Sequence, residues 1–292
     1  MITKNYEELI RRLKDYGQSA DEVQAVLIIG SQARREVPAD QYSDLDIILV
    51  VSDPSLFLYS DEWLKFLGRH NISFVENTIG GEKERRVLFD GGLDVDFVIV
   101  SQKTVEAVLL GTDGLDILRK GYEILLDKTA LSNKLRKRSL PAPKNEAPSA
   151  DEYQNLVNDF WYHTVWTAKK LLRGELWAAK FCVDGYMKYK LLWLLEFHAH
   201  VIHGWDYNTW HSGRFIDSWA DRQAMRKMST AFAHYEKEDI AKALVETMDI
   251  FSRIAQETAE ETGYTYPAEA EKSAREWLGE HLPLAIENQA AM

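Results

Sequence analysis

The chain has one cysteine, Cys182, among 292 residues. That excludes an intramolecular disulfide and any zinc site built from several cysteines. The thiol reads as a small buried apolar residue. Proline is sparse, and three of the seven fall in one stretch, Leu140–Ala150. No apolar run approaches the roughly 20 residues that a membrane span requires. The N-terminal segment MITKNYEELIRRLKDYG is charged throughout and has no apolar stretch of the signal-peptide kind. These absences point to a soluble protein of a reducing cytoplasm, with no membrane partner. Basic residues are also in deficit: 35 Lys and Arg against 46 Asp and Glu leave a net charge of −11. That balance would repel a nucleic acid unless a local basic patch compensated, so no nucleic-acid partner is expected. It would attract a polycationic small molecule, although solubility alone also accounts for an acidic surface. Oligomeric state is not legible.

Apolar residues make up 46% of the chain, enough for a sizeable core. The first half predicts strands at 23–29, 45–51, 72–77, 95–100 and 122–126, from β-branched apolar runs. Helical stretches, 5–16, 55–69 and 102–119, lie before and between them. Runs so nearly all apolar imply a sheet covered by helices on at least one face. The proline-rich Leu140–Ala150 reads as an extended linker. Beyond it the texture changes to long helical patterns rich in Trp, Tyr and Leu, over 151–173, 175–203, 221–235, 237–263 and 267–279. The expectation is an α+β protein. A mixed sheet flanked by helices (1–140) is followed by a helical bundle (151–292).

Gly30-Ser31 directly follows the first apolar strand, and twelve residues separate Ser31 from Asp44-Leu45-Asp46. Side chains two apart on a strand share a face, so Asp44 and Asp46 point the same way and Leu45 turns to the core. Two such carboxylates repel unless a cation lies between them. Mg²⁺ suits a few carboxylates plus phosphate oxygens. A later strand, Asp94-Val95-Asp96-Phe97, offers a third carboxylate in Asp96, with Asp94 on the same face as the alternative. Three carboxylates can hold two ions in the arrangement suited to in-line phosphoryl displacement. Gly30 lets the backbone approach a phosphate, and Ser31 can bond its oxygens, aided by a helix N-terminus if one starts there. Arg34 and Arg35 are near enough to neutralise triphosphate charge. Alone, a Gly-Ser pair is a turn and a DxD is a solvated edge; it is their conjunction that specifies chemistry.

Gly30-Ser31-Gln32-Ala33-Arg34 and Ser43-Asp44-Leu45-Asp46-Ile47 resemble the DNA polymerase β-type nucleotidyltransferase superfamily. The resemblance implies two Mg²⁺ ions, with Asp44, Asp46 and Asp96 as ligands and Gly30 and Ser31 on the triphosphate of ATP. The second half is similar to the streptomycin (aminoglycoside 6-) adenylyltransferase family. The similarity rests on Asn158-Asp159-Phe160-Trp161, Ala168-Lys169-Lys170-Leu171, Arg173-Gly174-Glu175-Leu176, Ala179-Lys180, Asp184 and Leu191–Phe197. It extends from about residue 20 to about residue 235. Where that family commonly carries Arg after Gly-Ser, this chain has Gln32, and Arg34 is the substitute available. The resemblance implies transfer of AMP from Mg-ATP to a hydroxyl of a small polycationic aminoglycoside, with release of pyrophosphate. The same chemistry on a lincosamide, another metabolite or a protein hydroxyl is the alternative. A nucleotide-binding antitoxin-type module is a third reading, and retention of all three carboxylates weighs against it.

Candidate acceptor contacts are Asp159 for an ammonium, Trp161 for stacking, and Glu175 and Asp184 for negative charge. Each has an ordinary alternative as a solvated acid or a core tryptophan. Lys170, Lys180 and Arg214 are candidates for phosphate contact or plain surface cations. His198, His200 and His203 do not share one helix face, so a zinc site is not expected. Trp161, Trp166, Trp177 and Trp193 read as core.

Overall fold

The computed structural model describes residues 4–34, 37, 39–78, 81–110, 118–137 and 146–282. Most of the expected linker, residues 111–117 of the helix expected over 102–119, and Arg35 lie outside the described residues. The chain divides into two compact units, Met1–Pro143 and Lys144–Met292.

The first unit contains one mixed sheet. Its strands are β1 (Val23–Ile29), β2 (Leu45–Val51), β3 (His70–Asn77), β4 (Lys83–Phe89), β5 (Leu93–Ser101) and β6 (Glu123–Asp127), in the order β3-β4-β5-β2-β1-β6. β2 and β5 are parallel, and all other neighbours are antiparallel. Two covered faces explain the continuous apolar runs. Val26, Ile28, Leu45, Ile47, Leu49, Val95, Phe97 and Ile99 pack with Leu9 and Leu13 of α1 (Glu7–Ser19). Ala25, Leu27, Ile29, Val50 and Val100 pack on the opposite face, with Val105 of α4 (Gln102–Leu110) and with Leu131 and Leu135 of α5 (Leu131–Arg136).

The structure departs from the sequence-based expectation in two places here. The helix expected over 55–69 is two single turns, α2 (Ser55–Leu58) and α3 (Leu64–Leu67), between which Trp63 Nε1 donates to the Phe57 carbonyl at 3.1 Å. Strand β4 was not expected at all, because its charges hide the alternation. Glu84, Arg86 and Leu88 share one face, and Arg85, Val87 and Phe89 the other. Arg85 is buried. It donates to the Phe57 carbonyl at 3.0 Å, to Ser73 Oγ at 2.8 Å, and to the Leu58 carbonyl and Asp61. It thereby satisfies carbonyls at the end of α2 that helix geometry leaves open.

The second unit is helical: α6 (Ala150–Leu172), α7 (Leu176–Phe181), α8 (Lys188–His203), α9 (Ile216–Trp219), α10 (Arg222–Lys227), α11 (Lys237–Thr262) and α12 (Ala268–His281). A capping box opens α6: Ser149 Oγ accepts from the Glu152 amide, and the Ser149 amide donates to the Glu152 carboxylate at 2.8 Å. Periodicity predicts one helix over 175–203; the structure interrupts it with a π-helical segment, Cys182–Met187. The expected helix 221–235 ends at Lys227, followed by a 3-10 turn, Met228–Ala231. Cys182 is buried and unbridged.

The centre of this unit is aromatic. Phe160 of α6 and Phe251 of α11 stack at 3.6 Å between centroids with 2° between planes, and Trp161 meets Phe251 edge-on. Phe160→Ala should therefore cost roughly 3–5 kcal/mol by lost burial and cavity formation. Urea unfolding followed by far-UV circular dichroism measures this, and a loss below about 1 kcal/mol would show that the stack is not a keystone of the bundle.

Candidate active site

The site is assembled by register. Asp46 lies opposite Ile29 across β1–β2 and beside Asp96 across the parallel pair β2–β5. Asp44 immediately precedes β2. Leu45 and Val95 turn to the buried face, so both strands present their carboxylates on the other. Asp44, Asp46 and Asp96 each offer a carboxylate oxygen within 4.8 Å of the others. Asp96, and not Asp94, completes this group.

Gly30 closes the approach from β1. Its φ is +66°, in the left-handed region, and a Cβ there would lie 1.9 Å from Asp46 Oδ2. Glycine is required both by conformation and by space. Ser31 and Gln32 are buried behind it. Gln32 Nε2 donates to the Asp44 carbonyl at 3.2 Å, and Ser31 Oγ reaches the same oxygen at 3.4 Å. They therefore tie the Gly-Ser turn to the Asp-x-Asp segment. The turn that follows β1 is a single 3-10 turn, Gly30–Gln32, so Ser31 lies on it rather than at the start of an α-helix. Arg34 Nε donates to the Val37 carbonyl at 2.9 Å.

Asp96 is only 8% exposed. Burial pushes its carboxyl up to about 6, opposed by Arg86 and reinforced by Glu84, Asp94 and Asp44. Its Oδ2 lies 3.4 Å from Arg86 Nη2, whereas Oδ1 is buried with no hydrogen-bond partner among the described residues. A buried unpaired carboxylate oxygen is costly. Facing two other carboxylates, it fits a set of hard oxygen donors for a divalent cation. Arg86 also pairs with Glu84 at 3.0 Å and Glu76 at 2.7 Å. Sequence reasoning missed Glu84 and Arg86, and the signal available was the charge alternation of Lys83–Phe89. Tyr6 holds the start of β5: its hydroxyl donates to the Asp94 carbonyl at 3.0 Å and accepts from the Asp94 amide at 3.1 Å.

The acidic candidates of the second unit are each held by a lysine. Asp159 is held by Lys190 at 2.6 Å, by the Tyr186 hydroxyl at 2.8 Å and by His163 at 2.6 Å. Lys190 and Tyr186 keep its carboxyl below the usual range, against the effect of burial, which is the largest single influence. Lys170 pairs with Glu175 at 2.6 Å and lies over the Trp166 ring. Asp184 pairs with Lys180. Trp161 corrects the stacking expectation: it is 2% exposed, donates to the Tyr266 hydroxyl at 3.2 Å and carries Arg275 over its ring. Trp177 corrects the core expectation, being 75% exposed. Arg214 is exposed, and its carbonyl accepts from Trp219 Nε1 at 2.9 Å. His198, His200 and His203 have separate neighbours, Glu257, Thr209 and Tyr207.

A mixed sheet presenting three clustered carboxylates beside a Gly-Ser turn is the apparatus of a nucleotidyltransferase. The chain belongs to the streptomycin adenylyltransferase family, whose model matches residues 3–281. It is 20% identical over 274 residues to the aminoglycoside 6-adenylyltransferase of Bacillus subtilis, covering 90% of this chain and 93% of that one. It is likewise 20% identical over 278 residues to the enzyme of that name from Campylobacter jejuni, covering 92% and 93%. A crystal structure of an aminoglycoside 6-adenyltransferase from Bacillus subtilis covers 95% of this chain and 98% of its own, at 18% identity and a TM-score of 0.43. Membership makes this protein a nucleotidyltransferase, of a kind that uses a nucleotide and a divalent metal.

Gly30→Ala tests the close approach. The added methyl would displace the Asp46 carboxylate, so nucleotidyl transfer should fall at least a hundredfold, about 2.7 kcal/mol in barrier. Circular dichroism should show the sheet intact. Transfer within threefold of wild type would mean that Asp46 need not hold this position.

Proposed function

We propose that the protein transfers AMP from Mg-ATP to a hydroxyl of an aminoglycoside, releasing pyrophosphate. The observation that carries the reading is the carboxylate group Asp44, Asp46 and Asp96 beside Gly30, in a chain matched by the streptomycin adenylyltransferase model over residues 3–281. In this reading residues 1–140 bind nucleotide and metal, and residues 151–292 contribute to acceptor binding.

Asp44, Asp46 and Asp96 would hold two Mg²⁺ ions, which when bound supply charge neutralisation for the phosphates and polarise the reacting oxygens. Gly30 leaves the backbone open to the triphosphate, and Ser31 and Arg34 lie on the same turn. Asp96 orients the attacking hydroxyl and receives its proton, and the sheet fixes the distance between nucleophile and phosphorus. Positioning and electrostatics supply most of the rate in such displacements. Lys170 and Arg214 remain proposed phosphate contacts. Asp159, Glu175 and Asp184 remain proposed acceptor contacts that would have to exchange their present lysine partners. Trp161 is withdrawn from the acceptor contacts because its ring is buried. The net charge of −11 favours a polycationic acceptor at long range.

The test is pyrophosphate release from Mg-ATP across aminoglycosides and lincosamides. Streptomycin should be turned over and lincomycin should not, and streptomycin binding should weaken with salt over the range where charges are screened at roughly 8 Å. Asp46→Asn should retain less than about a tenth of wild-type kcat, a loss above roughly 1.4 kcal/mol. Release with lincomycin alone would reassign the acceptor and leave the chemistry. Full activity of Asp46→Asn would remove the carboxylate group from the mechanism.

A further inference from the structure

The register that builds the carboxylate group continues beyond it. Ile29, Asp46, Asp96, Arg86 and Phe74 are successive partners across β1, β2, β5, β4 and β3. They form one row on one face of the sheet. The adjacent row runs from Asp94 to Leu88 and Ile72. Strands lie roughly 5 Å apart, so Phe74 stands about 10 Å from Asp96 along the row.

This outer part of the face is open. Phe74 is 48% exposed, Ile72 53% and Leu88 38%. Three apolar side chains exposed together on one sheet face, beside a reaction centre, mark a ligand surface better than scattered exposure does. Asp94 is exposed at its inner margin. The backbone of Asp94 is fixed by Tyr6, and its carboxylate has no ion-pair partner within 4.0 Å among the described residues.

In-line displacement decides what the surface is for. The attacking oxygen and the leaving pyrophosphate lie on opposite sides of the phosphorus. With the triphosphate at the Gly30 turn, pyrophosphate departs toward β1. Asp96, on β5, is the carboxylate of the group farthest from that turn, so a hydroxyl that gives it a proton would lie toward β4 and β3. We propose that Phe74, Leu88 and Ile72, with Asp94, seat the acceptor: a cationic, ring-built molecule whose apolar ring face lies on Phe74 and whose ammonium or guanidinium meets Asp94. The assignment rests on the nucleotidyl-transfer reading above. Charge complementarity selects this occupant. Arg86 stands on the same face but pairs with Glu84, Glu76 and Asp96 and acts on Asp94 only from beyond ion-pair distance. The exposed apolar side chains with the Asp94 carboxylate therefore suit a cation carried on a ring with an apolar face, and do not suit a second anion beside the triphosphate.

The experiment is steady-state kinetics with streptomycin and Mg-ATP, on wild type, Phe74→Ala, Phe74→Trp and Asp94→Asn. Mn²⁺ affinity is measured by calorimetry on each, and oligomeric state by sedimentation. Phe74→Ala should raise the streptomycin KM about three- to tenfold, Phe74→Trp should restore it, and ATP KM and Mn²⁺ affinity should stay unchanged. Asp94→Asn should raise the streptomycin KM about tenfold and flatten its salt dependence. An unmoved streptomycin KM in both variants, with wild-type turnover, would overturn the platform and leave the function standing. A wild-type dimer that Phe74→Ala converts to monomer would assign the face to a second copy and also overturn it. Absence of any aminoglycoside turnover or binding by the wild type would overturn the functional reading, and the platform with it.

Discussion

The parallel register between β2 and β5 is the constraint on which the site depends. Asp46 stands beside Asp96 because Leu45, Ile47 and Leu49 are buried with Val95, Phe97 and Ile99 on the opposite face. A slip by one residue would turn every one of these side chains over. It would bury carboxylates in an apolar layer and expose the core, a combination costing far more than the few kcal/mol by which domains are stable. Apolar packing on one face therefore sets the spacing of the charges on the other. The chemistry needs no separate device to hold its ligands in line.

Concentrating charge has consequences that the neighbouring residues absorb. Arg86 ties Asp96, Glu84 and Glu76 across three strands, so the acidic side chains of the outer sheet do not stand unopposed. It takes one oxygen of Asp96, and the other is buried without a hydrogen-bond partner among the described residues. Gly30 contributes by lacking a side chain, since a methyl group would occupy the place of the Asp46 carboxylate. Gln32 bonds the Asp44 carbonyl and acts as a backbone tie. These arrangements concern orientation. Orientation is what a displacement with little covalent chemistry of its own requires from a protein.

Much of this was legible in the sequence, for identifiable reasons. Strands β1 and β2 and the helices α6, α11 and α12 carry strong local periodicity. Gly-Ser and Asp-x-Asp are close in sequence, so their geometry follows from one turn and one strand. Strand β4 was hidden because Arg85 is buried by carbonyls and not by apolar neighbours, which breaks the alternation. Arg86 and Phe74 gain their positions only from the order β3-β4-β5, a non-local pairing that no window of sequence contains. In the second unit the burial of Cys182 and Trp161 follows from residue type, whereas the partners of the charged residues and the exposure of Trp177 do not. Asp159 and Lys190 meet through packing between helices α6 and α8, and Trp161 differs from Trp177 only by the face on which each falls.

That difference between type and state bears on how a polycation would be recognised. An overall charge of −11 creates a long-range field but does not by itself create a binding site. A carboxylate already 2.6 Å from a lysine, as Asp159 and Glu175 are, has its attraction largely satisfied. An incoming ammonium would have to expel that lysine, and exchange of one cation for another yields little net Coulomb energy. A carboxylate without such a partner has more to offer, and more still where one side is apolar and water is thinned. By that criterion the acidic residues that matter to a cationic acceptor are distinguished less by number or motif than by whether the fold has already given them a cation. In the first unit Asp94 has none within ion-pair distance among the described residues, whereas the acids named in the second unit each have one.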